Sequence, residues 1–473
     1  MILGESSRVR DGAALPTTTP WFVDGKLVLA GARGETLAIQ IYHRVDAPST
    51  LTIAGVEVRG FAVAPVVVSR ASTAMYGSSQ GEGSYPEALT PSKSPATNPA
   101  YFEIAIPRDS GPGVKTGELD VAGQRIPVTL TIANVVLPPL RLDVWAYFDQ
   151  RELAWAAGTS NEPATATPRG AGDVERECIE LFRRHGVLLS PDLTLESYRA
   201  RKPLLFDFPF VPVVLSTEPA TAAQEVRAWI AATKDSGQLP FAIPIDEPAA
   251  NNRQDVRALA EAVRAAGGGP KTFRYAVTDQ PRPEYGNLID LYIHWNAAHL
   301  TDANRDRWTY NGKPPRAGSM VIDTQTPGMR TWGWIAHRYA IPVWYVWDAL
   351  YWHDRHNRKG APLPGRKVDV ASDAVSFNDG EDHGNLDGVL ALSDRGRCQP
   401  TLRMAALRRG LQDRALLELA TSCKPIETAA LAAEQIPRAL GDAPAEGDAA
   451  WPTDEAAWEL ARRKLLEYAS SCR

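Results

Sequence analysis

Short runs in which apolar and polar residues alternate, or apolar residues accumulate, recur from residue 21 to about residue 138. They fall at 26–30, 36–42, 49–58, 62–69, 100–106 and 125–135. A strand sends successive side chains to opposite faces, so a period of two marks a sheet with one buried face. Asp24-Gly25, Arg33-Gly34 and Gly111-Pro112-Gly113 supply turns between the runs. Short strands at a spacing of roughly 8–12 residues predict a β-sandwich. Residues 75–99 are rich in Ser, Gly and Pro and read as a long loop, and Pro138-Pro139 closes the region.

From Leu140 strand-like and helix-like patterns alternate. Apolar segments at 142–148, 187–189, 204–215, 241–245, 272–277, 288–294, 319–322 and 342–347 read as strands. Helical periodicity appears at 173–185, 221–232, 252–266 and 329–339. In the first of these helices Val174, Cys178, Ile179, Leu181 and Phe182 are the apolar residues, and Gly186 ends it. Strands separated by helices of about 10–15 residues build parallel βαβ units. Repeated to about eight strands, they predict a (β/α)8-type barrel. An open doubly wound sheet competes with this topology, but no glycine-rich turn follows its first strand to hold a dinucleotide. After a polar segment, further helices are expected at 401–419, 427–439 and 453–468. The expected architecture is therefore multidomain. An N-terminal β-sandwich spans 1–138, a central (β/α)8-type barrel spans 139–390, and a C-terminal helical segment over 391–473 packs on the barrel.

Composition narrows the function classes. A chain of 473 residues exceeds what one core organises, and 44% hydrophobic with 23% charged residues is ordinary for a globular protein. A net charge of −5 offers no basic field to attract nucleic acid. No apolar run has membrane-spanning length, and residues 1–20 lack the basic-then-apolar order of a signal peptide. Cys178, Cys398, Cys423 and Cys472 do not have metal-ligand spacing. Cys178 reads as a small buried hydrophobe, and a disulfide between Cys398 and Cys423 is one open pairing. His353-x-x-His356 lacks a third ligand, so neither a metal nor another cofactor is expected. The 13 Trp either fill cores or offer flat faces to sugar rings.

Parallel barrels carry their chemistry at the C-terminal ends of the strands. Asp149, Asp192 and Asp279 fall at such ends, but an Asp there also serves as a helix cap or turn residue, and that plainer role is preferred for all three. Tyr147 either lines a pocket or packs. Asp246-Glu247-Pro248 differs, because two carboxylates follow an apolar strand. Pro248 is expected to hold Glu247 in the extended region, so both acids reach the barrel mouth. Like charge and partial burial would raise one pKa, leaving a protonated acid beside an ionised carboxylate. Glycoside cleavage uses that division of labour. The alternative is a helix cap and its dipole partner. A second cluster runs through Trp344, Tyr345, Trp347, Asp348 and Trp352. In a strand Trp344 and Tyr345 face opposite ways, so one aromatic set lines the interior and the other packs. His294, Trp295 and Asn296 end another strand with groups suited to a sugar pocket.

These clusters resemble glycoside hydrolase family 123 and its uncharacterised relatives. Ile106-Pro107-Arg108-Asp109-Ser110-Gly111-Pro112-Gly113 and Val136-Leu137-Pro138-Pro139 are similar to the family's sandwich and its exit into the barrel. Asp246-Glu247-Pro248 resembles its adjacent Asp-Glu pair, residues 344–352 its aromatic last strand, and residues 401–413 its C-terminal signature helix. Thr401 stands where the family usually has Ser, Arg414 where it has Tyr, and Ala391-Leu392-Ser393 where it has Tyr-Pro-Gly. The resemblance implies a substrate-assisted retaining hydrolase of a 2-acetamido sugar, typically a β-N-acetylgalactosaminide. Glu247 would be the general acid/base and Asp246 would orient the acetamido group. Tyr147, His294, Trp295, Asn296, Trp344, Tyr345, Trp347, Asp348 and Trp352 would bind substrate. The expected partner is a carbohydrate, with neither nucleic acid nor membrane insertion. Export is expected by analogy with enzymes of external glycans. Two other readings stay open. One is a glycosidase with a protein nucleophile, drawn from Asp348, Asp323 or Asp279, about 5 Å across the ring. The other is a non-catalytic carbohydrate-binding protein.

Overall fold

The structure, a computed structural model, describes residues 1–43, 47–156, 172–299, 306–354, 366–394 and 397–472. Ten strands come first: β1 (Ile2–Gly4), β2 (Phe22–Val23), β3 (Lys26–Arg33), β4 (Thr36–Ile41), β5 (Ser49–Ile53), β6 (Glu57–Val68), β7 (Gly83–Pro91), β8 (Ala100–Ala105), β9 (Gly113–Val121) and β10 (Gln124–Val136). They form two five-stranded sheets, ordered β1-β4-β8-β6-β7 and β2-β3-β10-β9-β5. Alternation places Leu37, Ile39, Ile41, Phe102 and Ile104 of one sheet against Leu27, Leu29, Leu119, Leu130 and Ile132 of the other, in one core. The expected long loop at 75–99 contains β7. Its prolines hid it from propensity, and the fold tolerates them because β7 ends its sheet and Pro86 faces Pro65 at an irregularity of register. The run expected at 49–58 splits at Gly55, whose φ of 72° makes the turn between β5 and β6.

Eight parallel strands follow in chain order: β11 (Val144–Ala146), β12 (Val187–Leu189), β13 (Phe210–Pro212), β14 (Leu239–Ala242), β15 (Arg274–Val277), β16 (Leu291–Ile293), β17 (Asp306–Tyr310) and β18 (Trp344–Val346). Neighbours pair in sequence from β13 to β18, then β18 pairs with β11 and β11 with β12. The sheet curls until its two ends meet at a parallel bridge between Leu193 and Val213. Helices α1 (Gln150–Ala156), α2 (Asp173–Arg184), α3 (Leu195–Arg201), α4 (Pro219–Thr233), α5 (Arg253–Ala265) and α6 (Thr331–Arg338) lie between strands. Five rings fill the inside of the curl. Trp145 stacks on Tyr345 at 4.3 Å and meets Phe241 edge-on at 5.0 Å, while Trp308 lies 4.8 Å from Phe210 and 5.0 Å from Phe241. These rings form a floor, so only the strand ends above them can face a ligand. The strand expected at 319–322 is a buried irregular segment, and the seventh strand is β17. Asp-Arg-Trp-Thr-Tyr shows no apolar run, because only Trp308 of its three central residues is a large hydrophobe.

Three helices close the chain: α7 (Leu402–Thr421), α8 (Pro425–Gln435) and α9 (Glu455–Ser470). Helix α7 is buried nearly all round, charged residues included. Arg403 pairs with Glu87 at 2.6 Å, Arg408 with Glu103 at 2.6 Å, and Arg409 with Glu35 at 2.7 Å and Glu459 at 3.0 Å. Asp413 receives Arg330 at 2.8 Å. Buried charges need partners, so these pairs fix α7 against the N-terminal sheets, α6 and α9 at once. Where α6 crosses α7, a Cβ on Gly333 would lie 1.8 Å from the Gly410 carbonyl oxygen. Only glycine permits that approach. The disulfides join Cys178 to Cys398 and Cys423 to Cys472. The open Cys398–Cys423 pairing is thus not the one formed, and Cys178 is buried as expected but disulfide-bonded. Among the described residues no helix is long and apolar enough to cross a membrane.

Candidate active site

Asp246 and Glu247 follow β14 after three irregular residues, on the side of the curl where all eight strands end. Thr278, one residue beyond β15, holds both. Its hydroxyl donates to Asp246 Oδ1 at 2.6 Å and accepts from the Glu247 backbone N–H at 2.6 Å. Glu247 has a φ of 41°, in the left-handed region that non-glycine residues avoid. The expected extended conformation before Pro248 is therefore overturned, because the Thr278 bond sets the backbone against the local preference. Strain of this kind costs about 1–3 kcal/mol and persists only where surroundings over-determine it. It turns the Glu247 carboxyl toward β17, where the Tyr310 hydroxyl donates to Oε1 at 3.1 Å. Burial raises the Glu247 pKa, the Asp246 charge raises it further, and the Tyr310 bond opposes both. The pair therefore combines an acid whose pKa is raised with an acid anchored by a threonine.

Asp192, beyond β12, is a further acid on the side where the strands end. Its side chain is exposed to solvent, and the nearby protein, with the Asp246 charge, shifts its pKa upward. Burial also drives the Tyr345 phenol well above its usual range, and Asp192, Asp246, Tyr147 and Asp348 add to this. These five groups therefore share one neighbourhood. The plainer role preferred for Asp192 is not what the structure places there. It does hold for Asp149, which accepts from Arg151 in the first turn of α1, and for Asp279, which receives Arg282 and the Tyr285 hydroxyl at 2.7 Å.

The other sequence candidates divide. Trp295 stacks on Tyr310 at 5.6 Å and donates to the Tyr310 carbonyl at 3.0 Å, under the Arg316 guanidinium at 4.8 Å. His294 lies 6.4 Å from the Tyr310 ring, and burial lowers its pKa. Asn296 donates to Gln280 at 2.7 Å. Tyr147 and Tyr345 are half-buried beside the acids. Trp347 is half-buried between Tyr351 at 4.8 Å and Phe377 at 6.0 Å and donates to Asp387. Asp348 is buried and accepts from Leu350 N at 3.0 Å. Trp344 points outward, stacked on Trp332 of α6 at 4.6 Å and 2% exposed, so it offers no face to a ligand. Trp352 is 4% exposed and donates to Ala391 O at 2.8 Å. Strand β18 has ended by then, so its ring fills a seam instead of the mouth. Asp323, the remaining candidate nucleophile, is fully buried and accepts from Ser72 and Ser79.

Sequence reasoning passed over Thr278 as a holder of the pair and missed Tyr310. Strand periodicity could have exposed Tyr310 as the end of β17 had that strand been recognised. Among the described residues no group of three or more His, Cys, Asp or Glu side chains is placed to hold a metal ion, and the second member of His353-x-x-His356 lies outside them. A cleft of about 1060 Å³ opens elsewhere, between the N-terminal sheets and α2, and reaches neither Asp246 nor Glu247. Its Glu103 is committed to Arg408.

No family model matches the sequence, and no curated protein does. Among solved structures, a family 123 glycoside hydrolase from Clostridium perfringens superposes over 94% of each chain, with a TM-score of 0.62 at 11% identity. The chain has the fold of a family 123 glycoside hydrolase. An FMN-binding β-glucuronidase from Facaelibacterium prausnitzii covers 80% of this chain and 60% of its own at 12% identity, with a TM-score of 0.29. In the family 123 fold of this chain, α7 is the element that locks the N-terminal sheets to the curled sheet, which explains its density of buried arginines.

Proposed function

We infer that this chain is a glycoside hydrolase of a 2-acetamido sugar, acting with retention through the substrate's own acetamido group. The observation that carries the reading is the adjacent pair itself, held apart in setting by Thr278 and Tyr310 at the strand ends. Glu247, with its pKa raised, would protonate the leaving oxygen and later deprotonate water. Asp246, fixed by Thr278, would accept from the acetamido N–H and stabilise the charge that develops as its carbonyl attacks the anomeric carbon. A substrate nucleophile needs no second protein carboxylate about 5 Å across the ring, so neighbouring acids suffice. The other acids once offered as that carboxylate are committed: Asp279 to Arg282, Asp323 to serines and Asp348 to a backbone N–H. On this reading the curled sheet is a (β/α)8-type catalytic barrel over 139–390, with a sandwich before it and helices after it. Its partner is a carbohydrate.

A thiazoline fused to N-acetylgalactosamine mimics the cyclic intermediate. Calorimetry should find tight binding to the wild type, weakened about 10- to 100-fold by Asp246→Asn, as for a lost charged hydrogen bond. Equal affinity for both proteins would sink the assisted mechanism.

A further inference from the structure

The two oxygens of the Glu247 carboxyl have different settings. Oε1 accepts from the Tyr310 hydroxyl at 3.1 Å. Among the described residues Oε2 meets no donor, and the residue as a whole is exposed. A carboxylic acid that accepts at one oxygen carries its proton on the other. With Glu247 as the acid, Tyr310 therefore decides that Oε2 delivers the proton, and whatever holds the Tyr310 ring in place holds that choice.

Tyr310 ends β17, and the next residue ties its backbone to β18. Asn311 has a φ of 50°. Its N–H donates to the Tyr345 carbonyl at 2.8 Å, its carbonyl accepts from Trp344 Nε1 at 2.8 Å, and its Oδ1 accepts from Trp347 N at 3.1 Å. The ring of Tyr310 is held from another strand, by Trp295, two residues beyond β16. The indole stacks on the phenol with 5.6 Å between centroids and 16° between planes. Its N–H donates to the Tyr310 carbonyl at 3.0 Å. The Arg316 guanidinium lies 4.8 Å from the centre of the indole, and the Arg316 carbonyl accepts from Leu440 N at 2.8 Å, between α8 and α9. Trp295 thus commits both its ring and its N–H to protein groups. The charged groups around the phenol are Glu247 and Asp246, which with burial raise its pKa and keep it a donor, and Arg316, which opposes them. His294, 6.4 Å from the same ring, has its pKa lowered by burial.

We propose that Trp295 is a positioning residue for the catalytic acid, holding the Tyr310 ring so that its hydroxyl occupies Glu247 Oε1 and leaves Oε2 to deliver the proton. The proposal rests on the reading of Glu247 as that acid. Protonation of the leaving oxygen takes the proton from Oε2 and leaves a carboxylate, whose Oε1 is then held more strongly by the same hydroxyl. The bond therefore favours release of the proton, and a displaced Tyr310 ring would make release harder.

The test follows turnover of phenyl β-N-acetylgalactosaminide against pH in wild type, Trp295→Leu, Trp295→Phe, Tyr310→Phe and the double variant Trp295→Leu with Tyr310→Phe. Trp295→Leu should lower kcat about 3- to 10-fold and leave KM little changed. It should also move the basic limb of the kcat/KM profile to higher pH, because the Tyr310 bond lowers the Glu247 pKa. Adding Tyr310→Phe should move the limb no further, since both changes act through one bond. Trp295→Phe, which keeps a ring, should move it the same way by less. A limb that stays put would overturn the proposal, and a raised KM beside it would make Trp295 a wall for the sugar. Additive shifts in the double variant would overturn it too. Where Trp295→Leu does not fold, Trp295→Phe carries the same comparison, and a wild-type limb there counts against the proposal. If the wild type cleaves no phenyl glycoside, the catalytic reading fails by itself. NMR titration of the chain with ¹³C-labelled glutamate, its Glu247 signal assigned with Glu247→Gln, then decides the positioning. A higher Glu247 pKa in Trp295→Leu supports it, and an unchanged one removes it.

Discussion

At the scale of single residues, the site depends on how Thr278 and Tyr310 treat two neighbouring acids. The Asp-Glu adjacency was legible in the sequence, and so was the raised pKa of one acid. The conformation of Glu247 was not, because Pro248 argues for extended backbone and the countervailing bond comes from Thr278, 31 residues on. The plainer role expected of Asp192 fails for a similar reason: Thr194, not Asp192, caps the helix that follows. The Tyr310 bond lowers the Glu247 pKa, so Tyr310→Phe should move the basic limb of the kcat/KM profile to higher pH, with kcat reduced about 3- to 10-fold. The sign follows from Glu247 acting as an acid, active while protonated. A limb that stays put, or moves down, would separate Tyr310 from the acid. The same raised pKa has a stability counterpart. The folded chain binds this proton more tightly than the unfolded one, so the contribution is full below about 4.5 and is lost as pH rises through the folded value.

At the scale of elements, strands with clean periodicity were found and those with mixed composition were not. The start of strand β12 was read at Val187, and helices α2, α4, α5 and α7 within about two residues at each end. Strands β7, β9 and β17 were among those that escaped, β7 through its prolines and glycine, β9 because it is mostly polar and exposed, and β17 because a single inward Trp308 carries its apolar content. The pairing of cysteines was equally hidden, since Cys178 and Cys398 are 220 residues apart. Helix α7 was expected to pack on the barrel, but its arginines explain themselves only in place, as buried ion pairs. Its crossing with α6 is the most demanding contact. Gly333→Ala should cost about 1–3 kcal/mol or more by forcing the helices apart. Chemical denaturation would register this as a lower midpoint with an unchanged slope. An unchanged midpoint would mean that the crossing has slack.

At the scale of the molecule, the aromatic floor of Trp145, Phe210, Phe241, Trp308 and Tyr345 closes the inside of the curl and leaves one working face. The N-terminal sheets, α7 and α9 brace that sheet through Glu35, Glu87, Glu103 and their arginines. The alternation of strands and helices announced this architecture, whereas the bracing could not be read from sequence because its partners lie hundreds of positions apart. Turnover of phenyl β-N-acetylgalactosaminide, phenyl β-N-acetylglucosaminide and phenyl β-galactoside, by wild type beside Glu247→Gln, tests the central claim most directly. The account predicts cleavage of an acetamido sugar and not of the galactoside, with turnover reduced about 10²- to 10⁴-fold in Glu247→Gln. Cleavage of the plain galactoside, or wild-type turnover by Glu247→Gln, would contradict it.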